Sequence, residues 1–208
     1  MMRVIIFSWE FPPRIVGQLG EHVREIALNL VKNGVETYVV TYHDHLTGLS
    51  EEEGISVYRV TNPVRTHNGV LTWVLTLNQE VERAAANIYH NLDRRVDLID
   101  VHDWHFIPAA VTLKEALDIP FVYSVESLED HRSHGAESPF NIAIKSIEQL
   151  GLYETERVVV KSGWMQDEVN RIYGIPKAKI KVVPPESEAG FDEILETYSS
   201  VVGGRSIG

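Results

Sequence analysis

The sequence predicts an α/β protein built on a doubly wound, mostly parallel sheet. Two observations carry the prediction. Short, continuously apolar runs alternate with longer segments whose apolar residues recur at helical spacing, and this rhythm holds along most of the 208 residues. Strand, helix and strand in that order imply right-handed crossovers, which lay the strands parallel with helices on both faces. Neither internal repeats nor low-complexity tracts interrupt the pattern.

The elements follow in order. Residues 3–9 form an apolar run closed by Glu10 and Pro12-Pro13, the pattern of a buried strand. Leu19, Val23, Ile26, Ala27, Leu30 and Val31 then mark a helix that Asn33-Gly34 ends. Residues 35–42 and 55–60 are the next two strands, and the acidic, Gly-bearing residues 46–54 between them read as a loop. Trp73, Leu77, Val81, Ala84, Ala85 and Ile88 make one face of a long helix. Residues 97–101 are a strand that runs into His102-Asp103-Trp104-His105, and a helix follows to about residue 117. Residues 120–125 form a strand, residues 128–139 a long polar loop, residues 141–153 a helix and residues 157–161 a strand. Ser162 is placed to N-cap a helix with the face Met165, Val169, Ile172 and Tyr173. Residues 179–183 close the series. Residues 185–190 read as a linker, native or engineered, residues 191–202 as an amphipathic helix, and residues 203–208 as a tail.

Ligands of such sheets bind beyond the carboxyl ends of strands, so the chemistry is sought at residues 10–20, 42–45, 102–105, 126–134 and Ser162. Composition narrows it. With 19 Lys and Arg against 30 Asp and Glu, the net charge of −11 disfavours nucleic acid and anionic lipid as partners. A local pocket for a phosphorylated small molecule stays open. The absence of Cys removes disulfides, thiolate metal sites and a Cys nucleophile. No run approaches the ~20 apolar residues of a membrane span, and the expectation is a soluble cytoplasmic protein.

Gly17-Gln18-Leu19-Gly20 opens the first helix, where bare backbone amides suit a phosphate oxygen or merely serve a tight turn. It is not the dinucleotide fingerprint, and Val39-Val40-Thr41-Tyr42 offers no acidic residue for a ribose, which disfavours a nicotinamide enzyme. At the strand-to-helix junction, His102 can bond a substrate hydroxyl, Asp103 can cap the next helix, and Trp104 can stack or pack. His43, His45, His131 and His134, with His102 and Asp103, raise a metal site, but no H-E-x-x-H is present and none is assigned. Neither G-x-S-x-G nor a P-loop occurs.

Taken together, five segments resemble the retaining glycosyltransferases of the glycogen and starch synthase type. Trp9-Glu10-Phe11-Pro12-Pro13 with Val16-Gly17-Gln18-Leu19-Gly20 is similar to their opening strand and glycine loop. Residues 97–105, with the central His102-Asp103-Trp104, are similar to their HDW segment. Residues 119–128, residues 153–162 with Met165, and Ile180-Lys181-Val182-Val183-Pro184 resemble three later motifs, in the right order over about residues 2–184. The resemblance implies a Rossmann-like, three-layer αβα N-terminal domain, residues 1–184, of a two-domain GT-B enzyme. It implies transfer of a hexose from a nucleotide sugar, ADP- or UDP-linked, to a glycan or small-molecule acceptor, without a cofactor or metal. His102 would lie by the donor sugar, and Gly17 and Gly20 would approach the donor phosphates. Glu10, Arg14, Asp103, Trp104 and Glu126 are acceptor-side or supporting candidates.

Three positions depart from that pattern. Ile15 stands where the glycogen synthases carry Lys, with Arg14 beside it; Gln18 replaces a Gly; and Glu126 stands where many members have His. Because most of the nucleotide site would belong to a C-terminal domain, residues 1–208 alone are expected to be inactive. Residues 191–202 would be the helix that in GT-B enzymes crosses back onto the N-terminal domain. Two rivals remain: a non-catalytic module binding a glycan or sugar phosphate, and a metal-assisted hydrolase.

Overall fold

The computed structural model describes residues 1–184 and 188–205. Among these residues eight strands form one sheet: β1 (Arg3–Ser8), β2 (Glu36–Tyr42), β3 (Gly48–Glu52), β4 (Ile55–Val60), β5 (Leu98–His102), β6 (Phe121–Val125), β7 (Arg157–Val160) and β8 (Ile180–Val182). Their order is β3-β4-β2-β1-β5-β6-β7-β8. Every pairing is parallel except β3 with β4. Chain order reverses at β1, which lies between β2 and β5, so the crevice of this sheet opens above the ends of β1 and β5.

Side chains on successive strand residues point to opposite faces, and β1 shows the result. Ile5 and Phe7 pack in one core with α2 (Val70–Asn91), α3 (Ile107–Leu117), α5 (Pro139–Glu154) and α6 (Gly163–Tyr173). Val4 and Ile6 pack in the other with α1 (Leu19–Lys32) and α7 (Glu188–Arg205). Ser162 caps α6, its Oγ accepting from the Met165 amide at 3.2 Å. Gly151 of α5 lies so close to α3 that a Cβ there would meet Ile107 Cδ1 at 2.6 Å.

Several sequence assignments are corrected. Residues 46–54 are not all loop: β3 pairs antiparallel with β4 through the two-residue turn Glu53-Gly54, both at positive φ (53° and 83°). The polar stretch 128–139 contains a short helix, α4 (Glu129–Arg132). Of the proposed linker, residues 185–187 lie outside the described residues, whereas residues 188–190 already belong to α7. Of the proposed tail, residues 203–205 continue that helix and residues 206–208 lie outside the described residues. α7 lies on the α1 side of the sheet, with Ile194, Tyr198 and Val201 buried in that core.

Candidate active site

β5 ends in His102, with Asp100 two residues earlier on the same face. The spacing sets the Asp100 carboxylate beside the imidazole, Oδ2 at 2.9 Å from Nε2. In register with His102, Ser124 of β6 donates its hydroxyl to Asp100 Oδ1 at 2.9 Å. One residue past β6, Glu126 Oε1 lies 3.2 Å from His102 Nδ1. Lys161, the first residue after β7, forms an ion pair with Glu126. From the helices above, the His22 ring of α1 stands edge-on to His102 at 6.2 Å, and the Tyr198 hydroxyl of α7 donates to Asp100 Oδ2.

The electrostatics follow from these contacts. His102 is 1% exposed and has a carboxylate at each ring nitrogen, so both nitrogens donate only as an imidazolium. Burial lowers its pKa, but the Asp100 charge and the bonds from Asp100 and Glu126 outweigh this and push it up to about 9. Burial raises the Glu126 pKa, yet His102 and Lys161 hold it down at about 2. Burial and the two neighbouring cations push His22 down to about 4. The group is a buried imidazolium clamped by carboxylates, with Lys161, its side chain 38% exposed, as the cation within reach of solvent. His22, His102, Ser124, Glu126 and Lys161 line a pocket between the ends of β5–β7, α1 and the first turns of α7, where Phe191 and Ile194 supply an apolar wall.

The glycine loop takes a different form. Glu10 is 1% exposed, and its carboxylate fills the loop: Oε2 accepts the amides of Val16 at 2.6 Å and Gly17 at 2.9 Å, and Oε1 that of Gly20 at 3.2 Å. The amides expected to face a phosphate therefore already surround an anion of the chain's own, beside the positive end of α1. Arg14 lies on the outer side of the loop. Its guanidinium stacks 5.2 Å from the Trp9 ring and 4.6 Å from the Tyr42 ring, and its Nε donates to Asp44 at 2.9 Å. Trp73 meets Tyr42 edge-on at 4.8 Å. Trp9, Arg14, Tyr42, Asp44, His67 and Trp73 line an open groove beside β1 and β2.

Asp103 and Trp104 lie inside the protein. Trp104 packs with Val74 and Ile144 and stacks on His105 at 4.5 Å. Asp103 is 7% exposed and has left-handed backbone, φ 63°. It faces Arg132 at 3.8 Å and His105 at 3.7 Å, and burial pushes its carboxyl up to about 7. Burial likewise pushes His105 down, to about 3. The other histidine loops stay apart: His43 Nδ1 accepts the amides of His45 and Leu46, and His131 bonds Glu168 and stacks on Trp164. Among the described residues no three His, Asp or Glu side chains form a group that could hold a metal. The structure brings His102 and Glu126, both singled out by the sequence, together with Asp100, Lys161, His22 and Tyr198, which were not. The legible signal was Asp100, a charge set within the apolar run Leu98-Ile99-Asp100-Val101.

The sheet is Rossmann-like and carries this cluster at its switch-point crevice, the architecture of a glycosyltransferase domain. The model of glycosyltransferase family 4 matches residues 19–185, and the chain belongs to that family. It is 36% identical over 184 residues to the uncharacterized glycosyltransferase MJ1607 of Methanocaldococcus jannaschii, covering 88% of this chain and 45% of the relative. It is 25% identical over 196 residues to the glycogen synthase of Mycobacterium tuberculosis, covering 88% and 47%. Solved structures share the fold, two synthases among them. Sucrose-phosphate synthase from Thermosynechococcus elongatus superposes with a TM-score of 0.70 at 16% identity, over 88% of this chain and 48% of that one. The catalytic domain of starch synthase IV from Arabidopsis thaliana, bound to ADP and acarbose, superposes with a TM-score of 0.56 at 14% identity, over 96% and 50%. The chain thus spans about half the length of the curated relatives it matches. Among the described residues no helix is long and apolar enough to cross a membrane.

Proposed function

We propose that residues 1–184 are the acceptor-side domain of a retaining, glycogen-synthase-like enzyme that transfers a hexose from an ADP- or UDP-sugar to a glycan or other acceptor. The observation that carries this reading is the buried His102 imidazolium, paired with Glu126 and Lys161 at the switch-point crevice of a family 4 chain. As the sugar leaves its nucleotide, negative charge grows on the departing phosphate, and preorganised cations near the crevice stabilise it. Lys161 is the reachable cation. His102, fixed at both ring nitrogens, contributes a positive field and an edge beside the donor sugar rather than a movable proton. Because Glu126 is held ionised by both, it keeps the pair in place and supplies an acceptor for sugar hydroxyls.

The glycine loop borders the donor phosphates through Gly17 and Gly20, with Glu10 holding the loop in shape until a phosphate shares its amides. The groove of Trp9, Arg14, Tyr42 and Trp73 suits an acceptor: aromatic faces stack on sugar rings, while Arg14 and Asp44 offer hydrogen bonds. Trp104 and Asp103 support the site from within. The remaining nucleotide contacts, and with them most of the affinity, belong to a second domain.

The test is a transfer assay with ADP- and UDP-glucose and a maltooligosaccharide acceptor, on residues 1–208 and on the full-length protein that contains them. Residues 1–208 should give no turnover. In the full-length protein, His102→Ala should lower kcat by roughly 100-fold or more, the loss of an electrostatic contact of about 3 kcal/mol. Robust transfer by residues 1–208, or an unchanged kcat for His102→Ala, would overturn the reading.

A further inference from the structure

The polar chain at the site does not stop at the strand ends. Asp100 is 1% exposed and receives three bonds: Ser124 Oγ on Oδ1, and His102 Nε2 and the Tyr198 hydroxyl together on Oδ2. Tyr198 is 0% exposed and sits on α7, 98 residues further along the chain, on a helix that also buries Ile194 and Val201 and pairs Glu193 with Lys181 of β8. The only phenol that reaches the site among the described residues therefore ends on the oxygen that orients the imidazole.

We propose that Tyr198 is a positioning residue for His102: its hydroxyl fixes the Asp100 carboxylate, and through it the docking of α7 sets the geometry and charge of the histidine. A bond donated into a carboxylate draws off part of its negative charge and so weakens its hold on a second donor. Without the Tyr198 hydroxyl, Asp100 becomes the stronger base, and its pull on the His102 proton grows. The phenol keeps its proton throughout, because burial and the Asp100 charge raise its ionisation well above 10. The other groups facing His102 are Glu126 after β6, Lys161 after β7 and His22 on α1, and none of them touches Tyr198. A tyrosine that served only to fill the core would leave the histidine's titration where it is.

The experiment follows the His102 Cε1–H resonance against pH in 13C-histidine-labelled protein of residues 1–208. Tyr198→Phe should move the midpoint up by roughly half to one pH unit, the transmitted part of one charged hydrogen bond. Site-specific 3-fluorotyrosine at 198, nearly isosteric and a stronger donor, should move it down, and it carries the test if Tyr198→Phe does not fold. Val201→Ala loosens the same helix without touching Asp100 and should leave the midpoint in place. A midpoint for Tyr198→Phe within about 0.2 of wild type, an upward or absent response to fluorotyrosine, or an equal shift in Val201→Ala would each refute the coupling. In the full-length protein the same variant should shift the pH profile of kcat and leave KM near wild type. The inference uses the proposed function only for this last consequence. The titration is read without turnover, so a shifted midpoint together with no transferase activity in the full-length protein would sink the function and leave the coupling standing.

Discussion

Raising the pH from 6.5 to 9.5 should strip the folded protein of at least about 3 kcal/mol, and His102 should account for most of it. In the native state its pKa lies at about 9, against 6.5 when unfolded. The folded chain holds this proton across a window in which the unfolded chain releases it. Its contribution is fully present below pH 6.5 and disappears as pH rises through about 9. Two and a half pH units at 1.36 kcal/mol each amount to about 3 kcal/mol, with little screening to discount because the ring is buried. The acid side has a different origin. His22 and His105 are pushed down to about 4 and about 3, so the stability they confer is lost as pH falls below 6.5. Asp103, raised to about 7, opposes them in part. Glu126, held at about 2, adds a further loss toward that pH. Stability should therefore peak near pH 6.5. Urea unfolding followed by circular dichroism at half-unit pH steps measures the profile. His102→Gln should start lower and keep only the shallow part of the alkaline limb that Asp103 supplies. Wild-type stability constant to within about 0.5 kcal/mol between pH 6.5 and 9.5, or an alkaline limb of equal depth in His102→Gln, would refute the clamped imidazolium.

Two further outcomes test the framework of the site. Glu10→Ala removes the acceptor of three amides, and because only Gly20 among the donors is buried, the cost should be about 2 kcal/mol. Hydrogen exchange should then accelerate sharply at Gly20, and unchanged protection there would show that Glu10 does not organise the loop. Gly151→Ala would ordinarily favour a helix by up to ~1 kcal/mol. Here the new Cβ collides with Ile107, so a net destabilisation of about 1–3 kcal/mol is expected, with partial recovery in the double variant with Ile107→Val, which removes the atom in closest conflict.

How much of this could be read in the chain follows from the range of each signal. The central strands and long helices were legible because burial on both faces leaves continuous apolar runs such as Val4-Ile5-Ile6-Phe7, and burial on one face leaves the period of Leu77, Val81 and Ile88. Ser162 was legible as a cap because capping is local. β3 was not. Gly48-Leu49-Ser50-Glu51-Glu52 has poor strand propensity and is extended only because β4 pairs with it. At the site, His102 and Glu126 stood out by position, since one ends a strand and the other follows one. Tyr198 looked like one more apolar contact on a helical stripe, and only the docking of α7 reveals what its hydroxyl does. The direction of the Glu10 side chain was equally hidden, although its three donors lie within ten residues of it.

β3 has a consequence for the chain's behaviour at high concentration. An open sheet of this kind ends in a row of unmatched backbone groups that can recruit a strand from a neighbouring molecule. Here that flank is a five-residue strand carrying Glu51 and Glu52, and Glu52 is tied across to Arg59 of β4 at 2.6 Å. A second molecule approaching edge to edge would bring like charges together in a protein whose net charge is already −11. The hairpin guards the sheet against self-association, and neutralising Glu51 and Glu52 should show itself first as turbidity on concentration.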